Sequence, residues 1–177
     1  MRTRRRLRRR GVTDVPLELI IIMVILAIVI PIILAAFSSY TREQEVMTLS
    51  EQASNVKDMV IQVYDGGLNT TLILSVTVPS GGSLVIGGPL LTSSGLLNPD
   101  ATWINYSISS GYGGQDLASS GAGEIYMTNI TCSPIIFLYQ ALNVPVGTHN
   151  LAFTKLGPGA SYCGVKMSKT FVEVALL

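Results

Sequence analysis

The sequence predicts an α+β protein in which one long N-terminal helix, transmembrane in its first half and amphipathic in its second, precedes a small antiparallel β-sandwich or β-barrel domain. Three observations predict it. An almost wholly aliphatic run extends from Leu19 to Phe37, an apolar stripe of helical period follows it, and from Leu68 the apolar period becomes two. The 177 residues leave room for one domain of ordinary size and one accessory segment.

The aliphatic run is long enough to cross a membrane. No charged residue occurs from Leu19 to Thr41, and a helix of that length spans the roughly 30 Å of hydrocarbon in a bilayer. Seven of the twelve basic residues are arginines that precede Gly11, and such clusters stay on the cytoplasmic side of a spanning helix. We therefore expect everything after Phe37 to lie outside the cytoplasm.

Two other fates of this run compete with a retained helix. A cleavable signal peptide has a shorter apolar region followed by a small-residue site, which Ala36-Phe37-Ser38 imitates. The residues around Arg4 and Arg5 match a twin-arginine export signal poorly. The length of the run favours a helix that stays on the mature protein.

The helix continues beyond the apolar run as an amphipathic segment. Its apolar residues are spaced alternately by three and four, with polar residues between them, as expected of one helical face. They are Val46, Leu49, Ala53, Val56, Val60 and Val63. Gly66 and Gly67 follow Asp65 and predict a stop with a left-handed glycine. The helix is predicted from about Asp14 to Tyr64.

The residues from 68 to 177 predict the β domain. Alternation in Leu72–Val78, the turn residues Pro79 to Gly82 and a returning strand over Ser83–Ile86 predict a β-hairpin. Glycine, proline, asparagine and serine clusters separate the further predicted strands. These are Thr102–Ser109, Glu124–Thr131, Ile135–Gln140, Thr148–Thr154 and Thr170–Leu176.

Cysteines and sequons agree with a domain outside the cytoplasm. Cys132 and Cys163 have neither CxxC spacing nor a histidine nearby, so a disulfide is favoured over a zinc site, with two separate buried thiols as the alternative. Asn69, Asn105 and Asn129 each begin an N-x-[ST] glycosylation sequon. Each sequon is a weak signal by itself, because a Ser/Thr-rich β domain produces some by chance.

The charge distribution argues against nucleic-acid binding. Beyond residue 11, five basic residues stand against eleven acidic ones, a net charge of −6. A basic patch is what a nucleic-acid-binding body requires. We expect no nucleic-acid partner.

The residues that carry chemistry are sparse, and we expect no enzyme, cofactor or metal site. His149 is the only histidine, so a nucleophile, base and orienting group are hard to assemble around it. The glycine clusters lack the residues of a phosphate loop and are interpreted as turns. Trp103, Tyr106 and Tyr112 are interpreted as core packing, with a sugar-binding aromatic face as the alternative.

The N-terminal residues RRRLRRRG, followed by VTDVPLELIIIMVILAIVIPIILAAF, resemble an archaeal type IV pilin precursor with a class III signal peptide. The resemblance covers roughly residues 4–65. Archaellins share the same signal and stay open as a related identity. The resemblance implies that a membrane-embedded prepilin peptidase cuts between Gly11 and Val12, and that the apolar helix stays on the mature subunit as the filament core.

Three residues of the predicted helix have two interpretations each. Asp14 and Glu18 occupy the place where bacterial relatives carry a glutamate that pairs with a neighbour's amine, or they cap the helix and face the positive end of its dipole. Pro31 removes a backbone hydrogen bond, so a kink or local melting is expected. Proline within the apolar helix is also common in pilins.

Together these expectations define three segments and a structural role. Residues 1–11 form a basic leader that is cleaved, 12–65 a long helix with 19–37 in the membrane or filament core, and 68–177 an extracytoplasmic β domain. The resemblance implies a homopolymer at the cell surface, built from a membrane-held precursor by an assembly ATPase and a platform membrane protein. The alternatives are a membrane-anchored binding module for a sugar or protein, and a pseudopilin of a secretion or uptake machine.

Overall fold

A computed structural model describes most of the chain from Leu17 onward. The described residues are 17–91, 96–109, 111–121, 123–132, 137–159, 161–162, 165–166 and 169–177. The chain divides after Thr41 into two units. The α+β architecture is confirmed: one long helix is followed by a domain rich in β-sheet.

Helix α1 spans Leu17–Asp65, one residue beyond its predicted end. It stops because Gly66 bends the chain, with the Gly66 N–H 3.2 Å from the carbonyl oxygens of both Gln62 and Val63. The prediction of a left-handed glycine at this stop is wrong. The left-handed residue of this connection is Asn69, with φ of 64°. Its N–H donates to Lys155 O at 2.9 Å while the Lys155 N–H donates to Thr70 O, so Asn69 and Thr70 together face one residue of the neighbouring strand.

The predicted amphipathic stripe is confirmed. Leu49, Ala53, Val56, Val60 and Val63 are fully buried, and Val46 packs against the same cluster while half-buried. Burying one such aliphatic side chain stabilises a fold by about 1.5–3 kcal/mol. The second part of α1 is therefore an integral element of the β domain.

Thirteen strands follow the helix in the described residues. In chain order they are β1 (Thr71–Val78), β2 (Gly82–Ile86), β3 (Trp103–Ile108), β4 (Gly113–Leu117), β5 (Ser119–Ser120), β6 (Gly123–Glu124), β7 (Met127–Cys132), β8 (Phe137–Gln140), β9 (Leu142–Val144), β10 (Gly147–Leu156), β11 (Ser161–Tyr162), β12 (Val165–Lys166) and β13 (Phe171–Leu176). A short 3-10 helix, Pro99–Thr102, precedes β3. Each predicted strand overlaps one of these, whereas β4, β5, β9, β11 and β12 were not predicted.

The strands form two main sheets. One has five strands in the order β1-β10-β13-β7-β8, and the other has four in the order β4-β3-β2-β9. Two small pairs, β5-β6 and β11-β12, complete the described strands. Pairing is antiparallel except between β13 and β7, where Val172 lies opposite Met127 in a parallel pair. The five-stranded sheet is therefore mixed.

The predicted hairpin between β1 and β2 is wrong. Both strands exist, and a turn connects them, with the Gly82 N–H donating to Pro79 O at 2.9 Å. However, β1 pairs with β10, whereas β2 pairs with β3 and β9. The chain crosses from one sheet to the other at this turn. Alternation placed the apolar faces correctly, but it does not specify which strand lies beside which.

One core joins the helix and both sheets. The largest fully buried side chains include Leu49 of α1, Leu84 and Ile104 of the four-stranded sheet, and Leu151 and Phe153 of the five-stranded sheet. A smaller cluster contains Leu90, Ile130, Leu156 and Phe171. Tyr139 contacts Phe171 edge to face there, with ring centroids 6.1 Å apart.

Replacing Leu49 by alanine should lower the free energy of unfolding by about 2–5 kcal/mol, because it leaves a cavity where α1 meets the sheets. The matched control is Met47→Ala, since Met47 lies on the same helix and is 69% exposed. It should change stability by no more than about 0.5 kcal/mol. Denaturant titration of the full chain in detergent, followed by the fluorescence of Trp103, the single tryptophan, measures both. Equal losses in the two variants would contradict the packing described.

Candidate functional site

The first part of α1 is apolar on every side and exposed on every side. Every residue from Leu17 to Gln44 is exposed, and the large apolar side chains up to Phe37 are 38% to 74% exposed. Among the described residues, α1 is the one helix long and apolar enough to cross a membrane. A helix that is hydrophobic all round belongs in lipid or inside a helical assembly. We call Leu17–Phe37 the apolar segment.

Polar groups mark the two ends of the apolar segment. Glu18 lies in the first turn of α1 and is its acidic residue there. At the other end, the Ser38 hydroxyl donates to Ala35 O at 2.9 Å, and the Thr41 hydroxyl lies 3.0 Å from Phe37 O. Both hydroxyls form hydrogen bonds to carbonyl oxygens of their own helix. They therefore need no water as a partner, which is what an apolar environment requires. Charges begin at Arg42, so the polarity changes within one turn.

The predicted leader and its neighbourhood lie largely outside the described residues. Gly11, Val12 and Asp14 belong to that part of the chain, so the cleavage site and the pairing of Asp14 with Glu18 stay predictions. Pro31 lies within α1, which is helical on both sides of it. Local melting is not observed there, and the kink stays a prediction.

Lys155 of β10 holds the carboxyl end of α1. Its Nζ donates to the carbonyl oxygens of Tyr64 and Gly66, the latter at 2.9 Å, and lies 4.9 Å from the centroid of the Tyr64 ring. The last turn of α1 contains no basic residue of its own. An ammonium group at a helix C-terminus binds carbonyls that lack partners and faces the negative end of the dipole. Sequence reasoning missed this contact, because Lys155 is distant in sequence from the helix.

The three sequons differ in accessibility. Asn69 lies in the exposed turn between α1 and β1. Asn105 is half-buried in the middle of β3, between β2 and β4. The Asn129 Nδ2 donates to Val174 O at 2.8 Å, so its amide nitrogen already holds β7 against β13. Of the three side-chain amides, that of Asn69 is the most accessible to a glycosylating enzyme.

The cysteine and metal predictions fall partly outside the described residues. The backbone of Cys132 ends β7, and Cys163 lies in a part that is not described, so the disulfide stays a prediction. Within the described ranges, no three or more histidine, cysteine, aspartate or glutamate residues lie close enough to hold a metal ion.

The aromatic residues of the four-stranded sheet do not form a common face. Ile104, Tyr106 and Ile108 alternate toward the core side of β3, which places Trp103 on the opposite side from Tyr106. Tyr112 is 65% exposed. The Tyr106 ring lies over Gly114, where a Cβ would clash with it, and its hydroxyl donates to Ser50 Oγ of α1 at 3.3 Å. Core packing is therefore the role of Tyr106.

The outer side of the same sheet bears a shallow polar groove. Its lining includes Ser83, Val85, Asn105, Ser107 and Gln115. The Asn105 Oδ1 is buried and accepts no hydrogen bond from the described residues. Such an unpaired acceptor is costly unless water or a ligand supplies a donor. A hydrogen-bond donor bound in the groove would satisfy this acceptor.

The glycine clusters are only partly turns. Gly81 and Gly111 adopt positive φ in connections, of 82° and 89°, as the sequence predicted. Gly113 and Gly114, in contrast, lie within β4, where their missing side chains admit the backbone and the Tyr106 ring. His149 lies within β10, and its Nε2 is 3.4 Å from the carbonyl oxygen of Val146, which precedes that strand.

Comparison with protein-family models, curated proteins and solved structures gave no match. The resemblance of the N-terminal segment to pilin precursors therefore stays a hypothesis based on its own residues. The described geometry adds two features that sequence reasoning missed, the Lys155 contact and the Asn105 groove. Both join residues that the fold brings together from separate elements.

Replacing Lys155 by methionine should lower the free energy of unfolding by about 1–3 kcal/mol, because the aliphatic stem is kept while two charge-assisted hydrogen bonds are lost. Hydrogen exchange of the full chain should show faster exchange in the last turn of α1. Lys169→Met is the control, since Lys169 is exposed and its loss should leave that turn unchanged. Unaltered exchange in Lys155→Met would contradict the role given to this lysine.

Of the three sequons, Asn69 should carry the glycan. Peptide mass spectrometry of protein from its native source measures occupancy at each site. Modification of Asn129 is not expected, because a sugar on its Nδ2 would replace the hydrogen bond to Val174. A glycan found at Asn129 while Asn69 is bare would contradict this assignment.

Proposed function

We propose that this chain is a structural subunit of an archaeal type IV pilus-like surface filament. One observation supports it most: a single helix is apolar and exposed over Leu17–Phe37 and is then built into the core of the β domain through its second part. Such a subunit can contribute its apolar segment to a bundle of identical helices while displaying its β domain. The leader RRRLRRRG supports the same proposal through its resemblance to class III signals.

Assembly from the membrane would need machinery. Lipid is already apolar, so moving the apolar segment from lipid into a helix bundle gains packing contacts rather than hydrophobic transfer. The gain for each subunit is small compared with burial from water. The proposed partners are therefore the prepilin peptidase, an assembly ATPase and a platform membrane protein. The precursor would reside in the cytoplasmic membrane, and the mature subunit in a filament at the cell surface.

An uncleaved, membrane-anchored binding module is the second candidate. The observation that favours it is the groove with the unpaired Asn105 Oδ1 on the outer side of the four-stranded sheet. In that case the apolar segment is only an anchor. A pseudopilin of a secretion or uptake machine would use the same helix without forming long filaments.

N-terminal sequencing of the native protein tests the proposal. The mature chain should begin at Val12, because the peptidase cuts after the glycine that ends the basic stretch. Replacing Gly11 by glutamate should leave the leader on the protein, whereas Arg2→Ala, far from the proposed bond, should be processed normally. A mature chain that begins near Ser39 and is soluble in water would refute the proposal.

Electron microscopy of the sheared surface fraction separates the candidates. A filament subunit should sediment in long polymers, and the Gly11→Glu protein should be absent from them and stay in the membrane. An anchored module stays in the membrane with or without Gly11. Processing at Val12 without filaments would favour the pseudopilin.

A further inference from the structure

Strand β1 is an edge of the five-stranded sheet. It pairs with β10 on one side, and no described strand pairs with it on the other. The Lys155 N–H donates to Thr70 O at 3.0 Å, so residue 70 and every second residue after it turn their backbone groups toward β10. In an antiparallel strand, the residues between them turn theirs the opposite way. Thr71, Ile73, Ser75 and Thr77 therefore face the open edge.

The open edge has little protection against another strand. The sequence TLILSVTV contains neither charge nor proline, the two devices with which proteins commonly block exposed edges. The four edge-facing residues are all exposed, with Ile73 at 61%. One contact covers part of the edge: Gln52 Oε1 of α1 accepts from the Thr77 N–H at 3.4 Å. A bond of that length is weak and easily exchanged.

We propose that β1 is a self-association site, at which it pairs in antiparallel fashion with β1 of a second copy of this chain. The register follows from the edge. With a two-fold axis at Leu74, Thr71 lies opposite Thr77 of the second copy, and Ile73 lies opposite Ser75. Every edge-facing residue then meets an edge-facing residue, so each such pair exchanges two backbone hydrogen bonds. The two five-stranded sheets become one continuous sheet.

The side chains fit this register. Opposed threonines already bond across β1 and β10, where the hydroxyls of Thr71 and Thr154, and those of Thr77 and Thr148, are 3.0 Å apart. The proposed contact also places Thr71 and Thr77 opposite each other, there in a hydrogen-bonded pair, whereas both form non-hydrogen-bonded pairs with β10. On the inner face, Leu74 meets its own copy, and it is only half-buried in one subunit. No like charges oppose each other.

This contact does not depend on the filament. Every residue that it uses belongs to β1 of the β domain. The occupant is a second copy because the uncharged edge is complementary to itself.

Cysteine cross-linking tests the contact in native membranes or sheared filaments. Ser75 is exposed on β1, and its diagonal neighbour in the proposed pair is Ser75 of the second copy, about 7–8 Å away. Ser75→Cys should give a dimer with a short bismaleimide. Asn150→Cys is the matched control, because Asn150 lies opposite Ser75 on β10 and the two copies are then three strand spacings, about 14 Å, apart. The unsubstituted chain reports any background from Cys132 and Cys163.

A charge at the edge should abolish the dimer. Adding Ile73→Lys to Ser75→Cys brings two ammonium groups close together and should lower the cross-linked yield at least about tenfold. Asn150→Lys adds the same charge one strand further in and should leave the yield unchanged. Trp103 fluorescence confirms that each variant is folded. Equal cross-linking at positions 75 and 150, or no effect of Ile73→Lys, would overturn the proposal whether or not filaments form.

Discussion

The buried stripe on the second part of α1 is the constraint on which the rest of the structure depends. Its five fully buried residues occupy one helical face and share a core with side chains of both sheets. They are Leu49, Ala53, Val56, Val60 and Val63. Because α1 runs from Leu17 to Asp65, the chain passes from the apolar segment into this core within one helix. Lipid and a helix bundle both satisfy the segment, and water does not.

The connection from helix to sheet explains why β1 is an edge. Lys155 binds the last carbonyls of α1, and its own backbone bonds Asn69 and Thr70 in the turn that follows. The chain therefore enters the sheet directly beside β10 and then leaves for the other sheet at Gly82. The strand that follows the helix is thus paired on one side only in the described part of the chain. Lys155 thus binds the end of the helix with its side chain and the start of β1 with its backbone, both on the β10 side.

The sequence predicted the elements better than their arrangement. Spacing of three and four gave the stripe from Val46 to Val63, and alternation gave β1 and β10, because local periodicity reports which side chains face a core. Pairing depends on contacts between distant segments. The false hairpin after Val78 and the parallel pair of β13 with β7 both show this. β4 was missed because its glycines resemble a turn, although they make room for Tyr106.

Of the candidate site, the apolar segment was predictable from the sequence, whereas the contacts of Lys155 and Asn105 were not. Composition alone identified the apolar segment, since few charges over such a length are a membrane signal in any fold. Lys155 could not be recognised from sequence, because a single lysine in a strand is ordinary until the fold places it at a helix end. The buried acceptor of Asn105 was likewise hidden within a sequon, which predicts exposure rather than burial.

The two proposed contacts differ in symmetry, and the difference decides what they can build together. Packing of apolar segments joins unlike faces of successive subunits and can continue indefinitely, as filaments require. Pairing of β1 with its own copy uses the same face twice and closes after two subunits. It cannot lengthen a filament. It would join two subunits, or the two assemblies to which they belong, through their β1 edges. The absence of charge on β1 therefore has a consequence at the level of the assembly, because a single lysine there would keep such assemblies apart.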